Sequence, residues 1–122
     1  MSEQEIPPWL KEQLARLNQL QQNLQAILMQ KQQLEIEGME IDKALEELKK
    51  ATPDDIVYKS AGPILIRSKK DDLIKELEEK KELLNTRIAV LSKQESRLKE
   101  NLKEVQGRID EMVRGVSRPR AE

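Results

Sequence analysis

The chain has 122 residues, of which 37% are charged, 37% are hydrophobic and 2% are aromatic. This length allows one domain or one extended element, and the scarcity of aromatic side chains excludes a large globular interior. Without cysteine or histidine, the chain lacks the usual zinc ligands, a thiolate nucleophile and an imidazole base. Because glycine motifs that bind phosphate are absent as well, we expect no enzymatic activity, no metal and no cofactor.

Hydropathy and charge limit where the chain can act. Its mean hydropathy is -0.74. Its longest apolar run is about four residues, far below the ~20 that span a bilayer. The N-terminal segment MSEQEIPPW lacks the basic and apolar regions of a signal peptide. A net charge of -1 provides no basic surface for nucleic acid. We therefore expect a cytoplasmic protein that binds neither a membrane nor nucleic acid.

The first half of the chain has a heptad pattern. Apolar residues recur at every seventh position in one series, and a second series lies three positions ahead of it, which is the a/d seam of a coiled coil. Pro8 precedes the pattern and Pro53 follows it, so we predict a helix over 9–51. The seam contains Leu20, Ile27, Leu34, Ile41 and Leu48 in one series and Leu10, Leu17, Leu24, Lys31, Gly38 and Leu45 in the other.

The second half repeats the pattern and predicts a second helix over 69–114. Ser68 and Asp71 have the spacing of a capping box at its start. Gly115 is typical of a helix end, which leaves 115–122 as a flexible tail. The seam contains Leu77, Leu84, Leu91, Leu98, Val105 and Met112 in one series and Ile74, Lys81, Ile88, Glu95, Leu102, Ile109 and Val116 in the other.

The segment between the helices, 55–68, has a different composition. Asp55–Ser60 and Ile64–Ser68 are rich in β-branched residues and flank an Ala-Gly-Pro sequence, which is typical of a β-hairpin. A two-stranded hairpin is marginally stable in water and its edges can pair, so we expect it to find further strands in other subunits. In the alternative, the hairpin folds back onto the helices of its own chain. The predicted oligomer interface consists of Ile56, Val57, Tyr58, Ile64, Leu65 and Ile66.

The predicted fold class is therefore mostly α: a long antiparallel two-helix coiled coil with one central β-hairpin. The compact connection favours an antiparallel register that matches Leu48 with Ile74. In this register Lys31 lies about one helical turn from the residue opposite Glu95, and both interrupt an otherwise apolar seam. We predict that these two side chains pair and help to fix the register. In the alternative, Lys31 extends to water.

The central segment DDIVYKSAGPILIRSKKD and the second-helix segment RIAVLSKQE resemble the archaeal prefoldin beta subunit family. The IPP sequence before the first helix fits as well, and the resemblance covers nearly the whole chain. Its most specific element is the VYK-x-x-G segment that begins at Val57, placed between two long helices. A single hairpin favours the beta type over the alpha type. The chain departs from the family at Ala61, where valine is usual, and at Pro63, because proline cannot donate to a β-ladder.

The resemblance implies both an activity and an assembly. Members of this family are ATP-independent chaperones that capture unfolded polypeptide between the tips of their coiled coils and pass it to a group II chaperonin. The implied complex is a hexamer of two alpha and four beta subunits, whose hairpins combine into an intersubunit β-barrel. The main alternative is a structural or scaffolding coiled-coil protein that oligomerises through its hairpin.

The two ends of the chain carry more apolar residues than the seam of two helices can cover. Antiparallel pairing brings these ends together, and exposed apolar patches that include methionine suit partners of varied shape. In the alternative, some of these residues only close the seam and the others fray. The predicted client-binding residues are Ile6, Trp9, Leu10, Met112, Val113 and Val116.

Overall fold

The computed structural model describes residues 6–117, and side chains as far as residue 115. Along the chain it contains α1 (Pro8–Lys50), β1 (Val57–Ala61), β2 (Ile64–Ser68) and α2 (Lys70–Ser117). The predicted class, two long helices with a central antiparallel hairpin, is therefore confirmed. Within the part of the chain described, neither helix is long and apolar enough to cross a membrane.

The chain divides into two compact units, each containing a segment of both helices. The first, which we call the terminal unit, consists of Met1–Met29 and Ser92–Glu122. The second, which we call the hairpin unit, is Gln30–Leu91 and includes the two strands. In the hairpin unit, residues near the end of α1 lie beside residues near the start of α2, and earlier α1 residues lie beside later α2 residues. The two helix segments of this unit are therefore antiparallel.

Helix α1 begins and ends one residue earlier than predicted. The carbonyl oxygen of Pro7 accepts hydrogen bonds of 3.0 Å from the backbone N–H groups of Leu10 and Lys11. Pro8 is thus the first helical residue, where its fixed φ and missing N–H cost nothing. At the other end, Lys70 Nζ donates to the carbonyl oxygen of Ala51 at 2.5 Å. This bond satisfies one of the carbonyl groups that the end of the helix leaves unpaired.

The predicted heptad seam forms the core of both units. The buried hydrophobic side chains all occupy seam positions, and each contributes about 1.5–3 kcal/mol through removal of apolar surface from water. In the terminal unit the most deeply buried side chain is Val105. The buried seam residues are Leu34, Ile41, Leu45, Leu48, Leu84 and Val105.

At Gly38 in the hairpin unit, the second helix lies close enough to restrict a side chain. A Cβ atom placed on Gly38 would lie 3.1 Å from Leu84 Cδ2. The predicted register matches Leu48 with Ile74, and a step of ten residues along each helix matches Gly38 with Leu84. The contact therefore fits the predicted register in this unit.

The hairpin is shorter at its start than predicted and has a tighter turn. Strand β1 begins at Val57, because Asp55 forms a separate turn: its Oδ2 accepts from the N–H of Thr52 at 2.6 Å. Ala61 pairs with Ile64, so the connection contains only two residues, Gly62 and Pro63.

The conformation of Gly62 defines this two-residue turn. Gly62 has a φ of 61°, and the fixed negative φ of Pro63 then gives the type II′ turn that suits tight hairpins. Because Pro63 lies in the turn and not in a strand, the ladder loses no donor at this position.

Helix α2 begins later and ends later than predicted. Ser68 is the last residue of β2 and pairs with Val57, so the capping box proposed for Ser68 is wrong. Lys69 precedes the helix instead, and its carbonyl oxygen accepts from the N–H of Leu73 at 3.0 Å. The helix continues through Gly115 to Ser117, so the predicted end at Gly115 is also wrong. A glycine that ends a helix usually adopts a positive φ, and Gly115 does not.

Candidate interaction surfaces

The terminal unit contains all of the predicted client-binding residues. Ile6 and Val113 are 44% and 45% exposed, while Trp9, Leu10 and Met112 are half-buried. The side chain of Val116 lies outside the part of the chain that the structure describes. The structure therefore places the five described residues in one compact unit, just before or within the first turns of α1 and the last turns of α2, and leaves apolar surface in contact with water.

A polar residue interrupts the seam beside this surface. Gln13 lies seven residues before Leu20, at a seam position, and its Oε1 atom is buried without a hydrogen-bond partner. A buried acceptor that remains unpaired costs about 1–3 kcal/mol. The seam of the terminal unit is therefore weakened near the predicted client-binding residues, a feature that the sequence analysis missed.

The hairpin presents apolar side chains on both of its faces. The strand register places Tyr58, Leu65 and Arg67 on one face and Val57, Ile64 and Ile66 on the other. Of the six predicted interface residues, only Val57 is half-buried; the other five are 47–70% exposed. The face that contains Val57 is partly covered, because Ala61 and Ser68 on it are half-buried as well, while Ile64 and Ile66 on that face remain exposed.

A groove separates β1 from the helices of the hairpin unit. It has a volume of about 530 Å³, and its apolar lining includes Leu48, Val57 and Leu77. At its edge, the ammonium group of Lys59 forms an ion pair with the carboxylate of Glu76 on α2. The hairpin is therefore attached to α2 by an ion pair as well as by the chain itself.

The predicted pairing of Lys31 with Glu95 stays a prediction. Lys31 is half-buried, as expected for a seam position. The Glu95 side chain is 14% exposed, and its Oε2 atom lies 2.8 Å from Lys99 Nζ, one helical turn further along α2.

No group of three or more acidic side chains within residues 6–117 is arranged to hold a metal ion.

Five apolar residues on the helices outside the seam are 48–66% exposed, and the sequence analysis missed them. They lie on the helices, and the heptad pattern assigned no role to them because it considers only the seam. The seven-residue spacing of Met29 with Ile36 and of Leu83 with Val90 is the signal that could have revealed four of them. They are Met29, Ile36, Met39, Leu83 and Val90.

Comparison with known proteins gives consistent matches over nearly the whole chain. The family model described as "Prefoldin subunit" matches residues 11–115. The prefoldin subunit beta of Archaeoglobus fulgidus is 43% identical over 109 residues, which cover 89% of this chain and 94% of the relative. That of Pyrobaculum arsenaticum is 41% identical over 106 residues, covering 87% and 86%.

Two solved structures have a similar fold. The crystal structure of the prefoldin beta subunit from Thermococcus strain KS-1 matches with a TM-score of 0.81 and 37% identity, and the match covers 97% of this chain and all of that one. The prefoldin beta2 subunit of the same strain matches with a TM-score of 0.69 and 25% identity over 75% of this chain. The alignment covers 97% of the beta2 subunit.

Proposed function

The chain belongs to the prefoldin beta subunit family, and on this premise we propose that it captures unfolded polypeptide at its terminal unit and delivers it to a group II chaperonin. The observation that carries this proposal is the apolar surface of the terminal unit, where Ile6 and Val113 are exposed beside half-buried Trp9, Leu10 and Met112. Unfolded chains expose apolar side chains of many shapes, and such a surface binds them through removal of apolar area from water. Binding of this kind uses no nucleotide.

We also propose that the hairpin joins this chain to other prefoldin subunits in the cytoplasm, in a hexamer of two alpha and four beta chains. Strand pairing between subunits into a β-barrel satisfies the backbone groups that a two-stranded sheet leaves free at its edges. It also covers the apolar side chains on both faces of the hairpin, such as Tyr58 and Ile66. Several terminal units in one complex then bind one client at the same time, and their weak contacts together give a high overall affinity.

A scaffolding protein is the second candidate, because it would use the same exposed hairpin for oligomerisation. Such a protein has no need for apolar side chains at its chain ends. Loss of client protection after changes in the terminal unit, without loss of assembly, therefore separates the two candidates.

The test combines Ile6→Ser, Trp9→Ser and Val113→Ser in one variant. We expect its complexes to lose most of their ability to suppress aggregation of a denatured model protein, measured by light scattering. The matched control is Ile36→Ser, which removes an apolar side chain of similar exposure, 48%, from the hairpin unit. Native mass spectrometry should show unchanged assembly for both variants. Undiminished protection by the triple variant would favour the scaffold.

A further inference from the structure

The hairpin is attached unequally to the two helices. Six residues, 51–56, separate α1 from β1, whereas Lys69 alone separates β2 from α2. The β2 side is therefore held close to α2 by the chain itself. On the β1 side the hydrogen bond from Lys70 to Ala51 and the turn at Asp55 hold the start of the connection but do not contact β1, so other contacts must define the angle of the hairpin.

Packing alone does not define the angle between the hairpin and the helices. Between β1 and the helices lies the groove of about 530 Å³, where a densely packed junction would leave no comparable space. Val57 and Leu48 line this groove from opposite sides. Five of the apolar hairpin residues remain exposed, so the helices of this chain hold the hairpin by a small contact area.

The ion pair between Lys59 and Glu76 spans this junction. Lys59 lies near the middle of β1, where it pairs with Ile66 across the ladder, and Glu76 lies in the second turn of α2. The two side chains are 44% and 49% exposed. Exposed ion pairs add little to folding stability, so a role of this contact is to be sought in the orientation of the hairpin that it joins to α2.

We infer that Lys59 and Glu76 are positioning residues that set the angle of the hairpin on the helices and thereby its fit to neighbouring subunits. This inference rests on the proposed assembly through the hairpin. Strand pairing between subunits requires alignment of backbone groups to within hydrogen-bonding distance, so a change in hairpin angle weakens it. Every copy of the chain in a complex carries the same ion pair, so small effects accumulate.

Charge reversal and charge exchange test this inference in the complex formed by the full chain and an archaeal alpha-type subunit. Lys59→Glu puts a second carboxylate beside Glu76, and Glu76→Lys puts a second ammonium beside Lys59. We expect each single variant to raise the dissociation constant of the complex by about 3- to 10-fold. The double variant, which restores opposite charges, should return to within about twofold of the original value.

Asp42→Lys is the matched control, because Asp42 forms an ion pair with Lys81 across the helices of the same unit but away from the hairpin. It should leave the dissociation constant unchanged. Circular dichroism should show the same helix content for all variants. Single variants that assemble like the original chain, or a double variant that stays as weak as the single ones, would overturn the inference.

Ile66→Glu separates this inference from the proposed assembly itself. If this variant leaves the mass of the complex unchanged, assembly through the hairpin is wrong, and the positioning role is wrong with it. If Ile66→Glu disrupts the complex but the charge variants fail as described, only the positioning role of Lys59 and Glu76 is wrong.

Discussion

Gly38 has opposite effects on helix formation and on packing. A glycine inside a helix costs about 1 kcal/mol relative to alanine, yet this one occupies a seam position in the interior of α1. Leu84 fills the space that a side chain would need, and Leu84 is among the most buried residues of the chain. Gly38 thus lowers the local stability of the helix but allows Leu84 to pack closely in the seam.

Gly38→Val should therefore lower the free energy of unfolding by about 1–3 kcal/mol, because the added methyl groups overpack the space beside Leu84. Urea denaturation followed by circular dichroism measures this change. Gly107→Val is the matched control, because a Cβ on Gly107 has no neighbour within 4 Å. Equal effects of the two substitutions would contradict the packing explanation, since both exchange a helical glycine for valine.

Gln13 gives a prediction of opposite sign. Its buried Oε1 has no partner, so Gln13→Leu should raise the free energy of unfolding by about 1–3 kcal/mol by replacing an unpaired acceptor with an apolar seam residue. Gln22→Leu, at an exposed position of the same helix, should change it by less than about 0.5 kcal/mol. An unaltered denaturation midpoint for Gln13→Leu would show that the amide oxygen is already satisfied.

Among the elements, the hairpin depends most on a single backbone conformation. Gly62→Ala places a Cβ at a φ of 61°, which costs an L-residue about 1–2 kcal/mol. We expect this substitution to weaken assembly while helix content is retained, as judged by sedimentation and circular dichroism. Gly107→Ala makes the same chemical change in a helix without a positive φ, and it should not affect assembly. Normal assembly of Gly62→Ala would show that the turn tolerates an ordinary residue.

The sequence predicted the existence and type of all four elements, because heptads and β-branched runs are local patterns. Their ends were less accurate, since strand pairing holds Ser68 and helix α2 continues past Gly115 despite its glycine. The partner of Glu76 could not be predicted either. Its i,i+4 neighbour Lys80 offered a local partner, but Lys59, which is 17 positions away, is the one that folding brings to it.

At the scale of the whole molecule, the sequence supplies candidates for the interaction surfaces but not the contacts that support them. The apolar residues near both chain ends stood out because they exceed what a two-helix seam can bury, and those of the hairpin because β-branched residues flank a Gly-Pro turn. The unpaired Oε1 of Gln13 and the ion pair of Lys59 depend on the positions of individual side chains, which the predicted helix register does not supply. Both nevertheless lie beside the surfaces to which we assign function.

The proposed chaperone activity should depend steeply on the number of intact terminal units in a complex. If several weak contacts hold one client, each contact multiplies the overall affinity, because it binds a client that is already held nearby. Loss of one contact therefore divides the affinity by a large factor. Complexes assembled from mixtures of the original chain and the Ile6→Ser, Trp9→Ser, Val113→Ser variant should therefore lose protection faster than the fraction of variant increases. Mixtures with Ile36→Ser should keep full protection. A strictly proportional loss with the triple variant would mean that each terminal unit binds its client independently, and the cooperative grip would have to be abandoned.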